Sequence, residues 1–223
     1  MRGISVFWLI AAVLALLWLV VSSNVPPSPQ LLFYDNFNMT LKGQPDPAWH
    51  LPQSASYKAA RWIVSDQESY TIEKAPLGQP LLSFTGSPDW QDYRLELDVS
   101  WASPRLDNAV VIGVRVRDAD NLVGLFYQPG QPVLFKTKRE GHWQAVEGQQ
   151  ALLLQAPLNS NAHLTITVEG DRYRAYLGDQ LIVSATIPGF PSGYIALQTA
   201  MADFNGTPVA AQFDNLRVLK LSP

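Results

Sequence analysis

The chain has 223 residues, 16 of them basic and 19 acidic, for a net charge of −3, and no cysteine. This balance argues against nucleic acid or an anionic membrane surface as the main partner. Without cysteine there are no disulfide staples, no lipid attachment at a thiol, and no thiolate zinc site.

The first element is "ISVFWLIAAVLALLWLVV", Ile4 to Val21, with Ser5 its one polar residue. About 17–25 apolar residues span a bilayer core as a helix. Arg2 precedes the run and no charge follows it until Asp35. The positive-inside rule puts the N-terminus in the cytoplasm and the rest outside. Residues 1–21 are expected to be a transmembrane anchor. The competing reading is a cleaved signal peptide and a secreted product, but such apolar cores usually run about 7–15 residues. The best cleavage candidate here is only "VSS", Val21 to Ser23. Residues 22–30, "SSNVPPSPQ", form a proline-rich linker with an extended, stiff backbone. Residues 31–223 suit a single large domain, expected to be monomeric.

Beyond Gln30 no amphipathic helix is evident, and turn residues interrupt alternating runs about every 8–12 positions, the pattern of an all-β sandwich or barrel. "RWIVS", "SYTIE" and "PLLSFTG" are strand candidates. "YRLELDVSW" alternates strictly, with Tyr93, Leu95, Leu97, Val99 and Trp101 on one side and Arg94, Glu96, Asp98 and Ser100 on the other. "VVIGVRVR" turns at "DADN" into "LVGLFYQ", and "LFKTK" turns at "REG" into "HWQAVEG". "HLTITVEGDRYRAYLGDQLIVSATI" reads as three strands. "GYIALQTAMA" and "AAQFDNLRVLKL" close the chain. That gives about a dozen strands by turn counting.

If Asp118–Asn121 is a four-residue turn, Arg117 faces Leu122, Arg115 faces Gly124 and Gly113 faces Phe126. Alternation then puts Val116, Val114 and Ile112 on the core side, facing Val123, Leu125 and Tyr127 in that order. Arg115, Arg117 and Phe126 fall on the other side, and Lys136 and Lys138 of "LFKTK" extend it. Glu96 and Asp98 join them if their strand belongs to the same sheet. An aromatic ring with arginines and carboxylates grips a sugar by stacking and hydrogen bonds. The bland alternative is a solvated face with cross-strand ion pairs. Trp143 reads as a loop residue covering the sandwich end in preference to a sugar platform, and His163 as a rim residue.

The order of features resembles the concanavalin A-like lectin/glucanase superfamily, and within it the LamG-like and 3-keto-disaccharide-hydrolase-like (DUF1080-type) domains. The resemblance rests on "FYDNF", "RWIVSDQESYTI", "WQDYRLELDV", "GVRVRDADNLVGLFY", "LFKTKREGHW", "LTITVEGDRYRAYLGDQLI", "PSGYIAL" and "FDNLRV", in that order. It implies a two-sheet antiparallel jelly-roll in which the first and last strands are neighbours. "YDNF" and "FDNL" would then be neighbouring strand ends, with Asp35 and Asp214 either bonding backbone N–H groups at the rim or holding a structural calcium ion. No other cofactor is implied.

"ELD", Glu96 to Asp98, matches the start of the E-x-D-x-x-E of one glucanase branch, but no Glu follows at the third place, so the acid of a retaining pair is missing. Three histidines without cysteine offer no zinc spacing, and no G-x-S-x-G or phosphate-cradling loop occurs. The expectation is a membrane-anchored, extracytoplasmic lectin-like domain that binds a glycan or cell-surface polymer without catalysis. The alternatives are a glycoside-processing enzyme of the 3-keto-disaccharide type and an adhesion or spacer domain without a small ligand.

Overall fold

A computed structural model describes residues 29–52, 61–74, 81–101, 109–152, 156, 161–199 and 211–221. The anchor expected over 1–21 and nearly all of the linker lie outside the described residues. Among the described residues there is no helix long and apolar enough to cross a membrane.

The regular elements among the described residues are all strands. They are β1 (Gln30–Asp35), β2 (Arg61–Val64), β3 (Tyr70–Lys74), β4 (Leu81–Thr85), β5 (Tyr93–Trp101), β6 (Val110–Asp118), β7 (Asn121–Tyr127) and β8 (Leu134–Arg139). Then follow β9 (His142–Ala145), β10 (Gln150–Ala151), β11 (Asn161–Glu169), β12 (Arg172–Leu177), β13 (Gln180–Thr186), β14 (Tyr194–Thr199) and β15 (Ala211–Lys220). Nine strands make one antiparallel sheet in the order β10-β13-β12-β11-β5-β15-β3-β2, with β1 also on β15; six make the second, β4-β14-β6-β7-β8-β9. The inward halves of the alternating runs meet between the sheets. Tyr93, Leu95, Leu97 and Val99 of β5 pack with Val110, Ile112 and Val114 of β6, Val123 and Leu125 of β7, and Ile166 and Val168 of β11.

The first and last described strands are neighbours: Tyr34 pairs with Arg217 and Asp35 with Leu216. Phe37 and Phe213 are buried in the core.

Two sequence expectations need correction. Glu96 and Asp98 do not share a sheet with Phe126. Their strand, β5, pairs with β11 and β15 in the nine-stranded sheet, while β6 and β7 belong to the other. The two sets of side chains therefore point away from each other, out of opposite faces of the sandwich.

The β6–β7 register is the second. The turn is as expected, with Asp118 opposite Asn121, but beyond it a bulge between Val114 and Asp118 shifts the pairing by two residues. Gly113 faces Gly124 and Val111 faces Phe126. Arg115 sits at the bulge with φ 48°, a left-handed backbone conformation. The bulge turns Arg115 inward, where it is 2% exposed, and moves Val116 to an outer apolar cluster with Leu82, Leu122 and Ala196.

The buried guanidinium is surrounded by acceptors. Its Nη1 donates to the carbonyls of Phe190 at 2.6 Å and Gly170 at 2.7 Å. Its Nη2 donates to the Gln91 carbonyl at 3.2 Å and the Asp92 carboxylate at 3.1 Å, and Nε also reaches Gln91. The Arg115 backbone N–H donates to the Tyr93 hydroxyl at 3.0 Å. Gly193 lies directly against the bulge; a Cβ there would be 2.4 Å from the Arg115 carbonyl carbon.

Arg115→Ala should therefore behave as a core defect. It strips buried carbonyls of their donors and leaves a cavity, with an expected loss of about 3–5 kcal/mol, or a melting temperature lower by on the order of 10 °C for a domain this size. Arg115→Lys should recover little, since a single ammonium cannot span the same carbonyls. Thermal unfolding followed by circular dichroism checks both; an unchanged transition for Arg115→Ala would contradict the clamp.

Candidate functional site

On the outer face of the nine-stranded sheet, the polar halves of three strands line up in rungs. His163 of β11 pairs with Asp98 of β5, and Asp98 pairs in turn with Asp214 of β15. The next rung is Asn161, Ser100 and Gln212. Strict alternation produces this: Leu97 and Val99 turn into the core, so Asp98 and Ser100 turn out. The β2–β3 turn adds Gln67 and Ser69 as one wall. Together these residues line a trough of about 400 Å³.

Hydrogen bonds fix the trough's centre. Asp98 Oδ1 lies 2.6 Å from His163 Nδ1, and Asp98 Oδ2 accepts from the Asn215 side-chain amide at 2.9 Å. Asn215 can reach back because β15 bulges between Asp214 and Arg217, with Asn215 at φ 49°. Asparagine tolerates this conformation better than most residues. Ser100 donates to the Gln212 side chain at 3.3 Å. Asp214 accepts the Asn215 backbone N–H at 2.7 Å. Its carboxyl is nonetheless pushed above the usual range, first by partial burial and then by the charges of Asp98 and Glu68. Among the described residues no lysine or arginine lines the trough.

The sequence-predicted residues are dispersed. Asp98 is in the trough. Glu96 lies one rung further along β5, but it is buried and held by Arg94 and Arg217, with Nε of each 2.5 Å from a carboxylate oxygen. Arg115 is the interior clamp. Arg117 is exposed at one end of the sandwich, donating to the Gly189 carbonyl and lying over the Phe190 ring.

Phe126 and Lys136 do come together, on the outer face of the six-stranded sheet, with Lys136 Nζ 4.5 Å from the Phe126 ring centre. Trp143 stands edge-on to Phe126, ring centres 4.8 Å apart. It belongs to β9 and lies on this sheet face, so the expectation of a loop residue over the sandwich end is corrected. Gly124 makes room for it; a Cβ there would be 2.9 Å from the indole and 2.6 Å from Val111. Lys138 lies beside Trp143 but is buried, and its ammonium is bound to the Ala119 carbonyl and Asp120.

Asp35 does the backbone-ordering work expected of a strand-end aspartate. It accepts the Phe37 N–H at 2.8 Å and the Trp49 indole N–H at 2.9 Å. Burial raises its carboxyl, with smaller contributions in the same direction from Asp46 and Asp214. Among the described residues no group of three or more His, Cys, Asp or Glu could hold a metal ion.

Sequence reasoning misses Gln67, Ser100, Asn161 and Gln212 as site residues and takes His163 for a rim residue. A usable signal is present: every outward position at the matching ends of "LELDVS", "NAHL" and "AQFD" carries a hydrogen-bonding side chain. What one strand's pattern cannot show is that these three strands are adjacent.

No family model matches the chain, and no curated protein matches it. Solved structures do. A carbohydrate-binding module, CBM66, from Bacillus subtilis aligns with 72% of this chain and 92% of its own at 18% identity, TM-score 0.58. A B. subtilis protein of unknown function with a galectin-like fold aligns over 86% of this chain and 97% of its own at 10% identity, TM-score 0.60. A xylan β-1,4-xylosidase from Bacillus halodurans C-125 aligns over 88% of this chain but only 41% of its own, at 12% identity and TM-score 0.55. The likeness is one of fold. The chain folds as a concanavalin-like sandwich.

The raised Asp214 carboxyl carries a sign. A folded-state pKa above the unfolded value of 3.8 means a contribution to stability that is present in acid and lost as pH rises through the folded value. Asp214→Asn should thus be at least as stable as the parent near neutral pH, with the advantage shrinking as the pH falls toward 3.8. Melting temperatures across that range test it. A variant that is less stable at neutral pH than in acid, relative to the parent, would show the carboxylate to be favoured by folding.

Proposed function

We propose that the chain is an extracytoplasmic glycan-binding domain, tethered to a membrane by Ile4–Val21 and without catalysis of its own. The trough carries the reading. It is concave and lined by amides, hydroxyls, a histidine and two carboxylates, groups that hydrogen-bond sugar hydroxyls. The similarity to a carbohydrate-binding module and to a galectin-like fold supports it, while fold alone does not assign function. In this proposal the domain is a monomeric jelly-roll of the LamG-like or 3-keto-disaccharide-hydrolase-like type.

One observation favours the glycoside-processing alternative: Asp98 and Asp214 are direct cross-strand partners. Paired carboxylates about 5–5.5 Å apart are the arrangement of a retaining glycosidase. Against it, both oxygens of Asp98 are already engaged by His163 and Asn215, which suits a fixed acceptor better than a nucleophile.

A glycan array probed with the protein, followed by Asn161→Ala and Gln212→Ala, tests the binding reading. Each substitution removes hydrogen bonds worth about 0.5–1.5 kcal/mol, so affinity should fall several-fold with little change in melting temperature. Loss of binding on Phe126→Ala, with the trough variants unaffected, would move the site to the six-stranded face. Binding to no glycan would leave the adhesion or spacer reading. Release of reducing ends from a bound glycan, abolished by Asp214→Asn, would make it an enzyme.

The anchor has its own check. The mature protein should sediment with membranes and retain its N-terminal segment; a soluble product beginning near Asn24 would show a cleaved signal peptide.

A further inference from the structure

We propose that β1 and the loop following it form a lipid-facing edge, on which the folded domain lies against the bilayer that anchors it. This rests on the anchor reading above. Among the described residues five large hydrophobic side chains are exposed: Leu31 (56%), Tyr34 (52%), Met39 (95%), Leu41 (79%) and Leu152 (55%). The first four fall within eleven consecutive residues. Scattered exposed apolar side chains are ordinary, but a concentration on one edge marks an interaction surface.

The core does not account for these four. On β1, Leu32 and Phe33 pack against the interior. Leu31 stands opposite Leu219 and Tyr34 opposite Arg217, on the outward side, with a register shift between Leu31 and Phe33. In the loop the polar residues hold the chain down. Thr40 donates to Asp46, and Lys42 donates to the Asp66 carbonyl and pairs with Glu68. Met39 and Leu41 alternate with Thr40 and Lys42 and are left in solvent. A loop that needed only solubility would carry polar residues at these two places.

The chain leading into β1 selects the occupant. The apolar run ends at Val21 and β1 begins at Gln30. The eight intervening residues, three of them proline, reach about 25 Å at ~3.1 Å per residue. A domain of about 190 residues has a radius of gyration of about 16 Å, so the tether is shorter than the domain is wide. β1 and its loop therefore stand within reach of the headgroups. At the millimolar effective concentrations that short tethers give, a few inserting side chains suffice. No basic patch is needed, in keeping with the chain's net charge of −3. Tyrosine suits the headgroup level and Met and Leu the acyl boundary below it.

The chain has no cysteine, so a single introduced thiol carries a label without background. Met39→Cys, Val13→Cys and Gln144→Cys are each made in the full chain and labelled with nitrobenzoxadiazole. They are reconstituted into phosphatidylcholine vesicles with and without brominated acyl chains. Val13 reports on the anchor; Gln144, exposed on β9 in the other sheet, is the distal control. The expected result is strong quenching at Val13, quenching at Met39 several-fold above that at Gln144, and loss of the Met39 signal on adding Leu41→Asp. Quenching at Val13 with Met39 no different from Gln144 would overturn the docking and leave the anchor standing. No quenching at any of the three would overturn the anchor and the docking together. A Met39 probe that is shielded but unquenched, in proportion to protein density in the membrane, would overturn the lipid contact and mean that a second copy of the chain covers this edge.

Discussion

The sandwich is closed at one end by a charge it cannot leave unpaired. A buried guanidinium must find an acceptor for its donors, because desolvated N–H groups without partners are costly. Arg115 finds them in the chain preceding β5, in the β11–β12 turn and in the connection from β13 to β14. One of these segments, the β11–β12 turn, belongs to the nine-stranded sheet and the other two cross between sheets, while Arg115 itself is on the six-stranded sheet. One side chain thus fixes how the sheets meet at that end. The Asp92 carboxylate that accepts from Arg115 also accepts the Gly170 N–H at 2.8 Å, so the acceptors are tied to one another as well.

A single device recurs in the interior and on the surface. Arg115 and Asn215 are non-glycine residues in the left-handed region, each at a bulge in an otherwise regular strand. A regular strand offers only two directions for its side chains. The bulge in β6 brings inward a residue that alternation would place outside. The bulge in β15 lets an amide reach along the face to Asp98. In one case the irregularity organises the interior; in the other it preorganises a surface. Such bulges re-aim side chains at the cost of an interrupted ladder.

Period-two alternation makes β5, β11, β12 and β13 legible, together with their inward and outward faces, because burial on one side leaves a strong pattern. The pairing of the first and last strands is reachable only through the resemblance. The position of Arg115 is not legible: "VIGVRVRD" alternates without interruption, and nothing in it marks a residue that breaks step. The sheet to which Glu96 and Asp98 belong is likewise hidden, since β5 pairs with strands more than sixty residues away along the chain. The trough draws on Gln67, Asp98, His163 and Asp214, four places that only the topology brings together. Alternation singles out Asp98 as an outward carboxylate, but it cannot say out of which face of the sandwich the side chain points.

β15 lies later in sequence than any other described strand, yet it sits in the middle of its sheet, bonded to β5 on one side and to β1 and β3 on the other. Until it arrives, β5 and β1 each present an unpaired edge, and the centre of the trough lacks Asp214, Asn215 and Gln212. The sheet therefore cannot be completed as the chain emerges in order. It has to be held open by its earlier strands and then zipped by its last. Folding dominated by such distant pairings is slow and leaves sticky edges exposed meanwhile. A nascent chain of this design passes through an interval in which the other described strands of the sheet have all been made and its central seam is still missing.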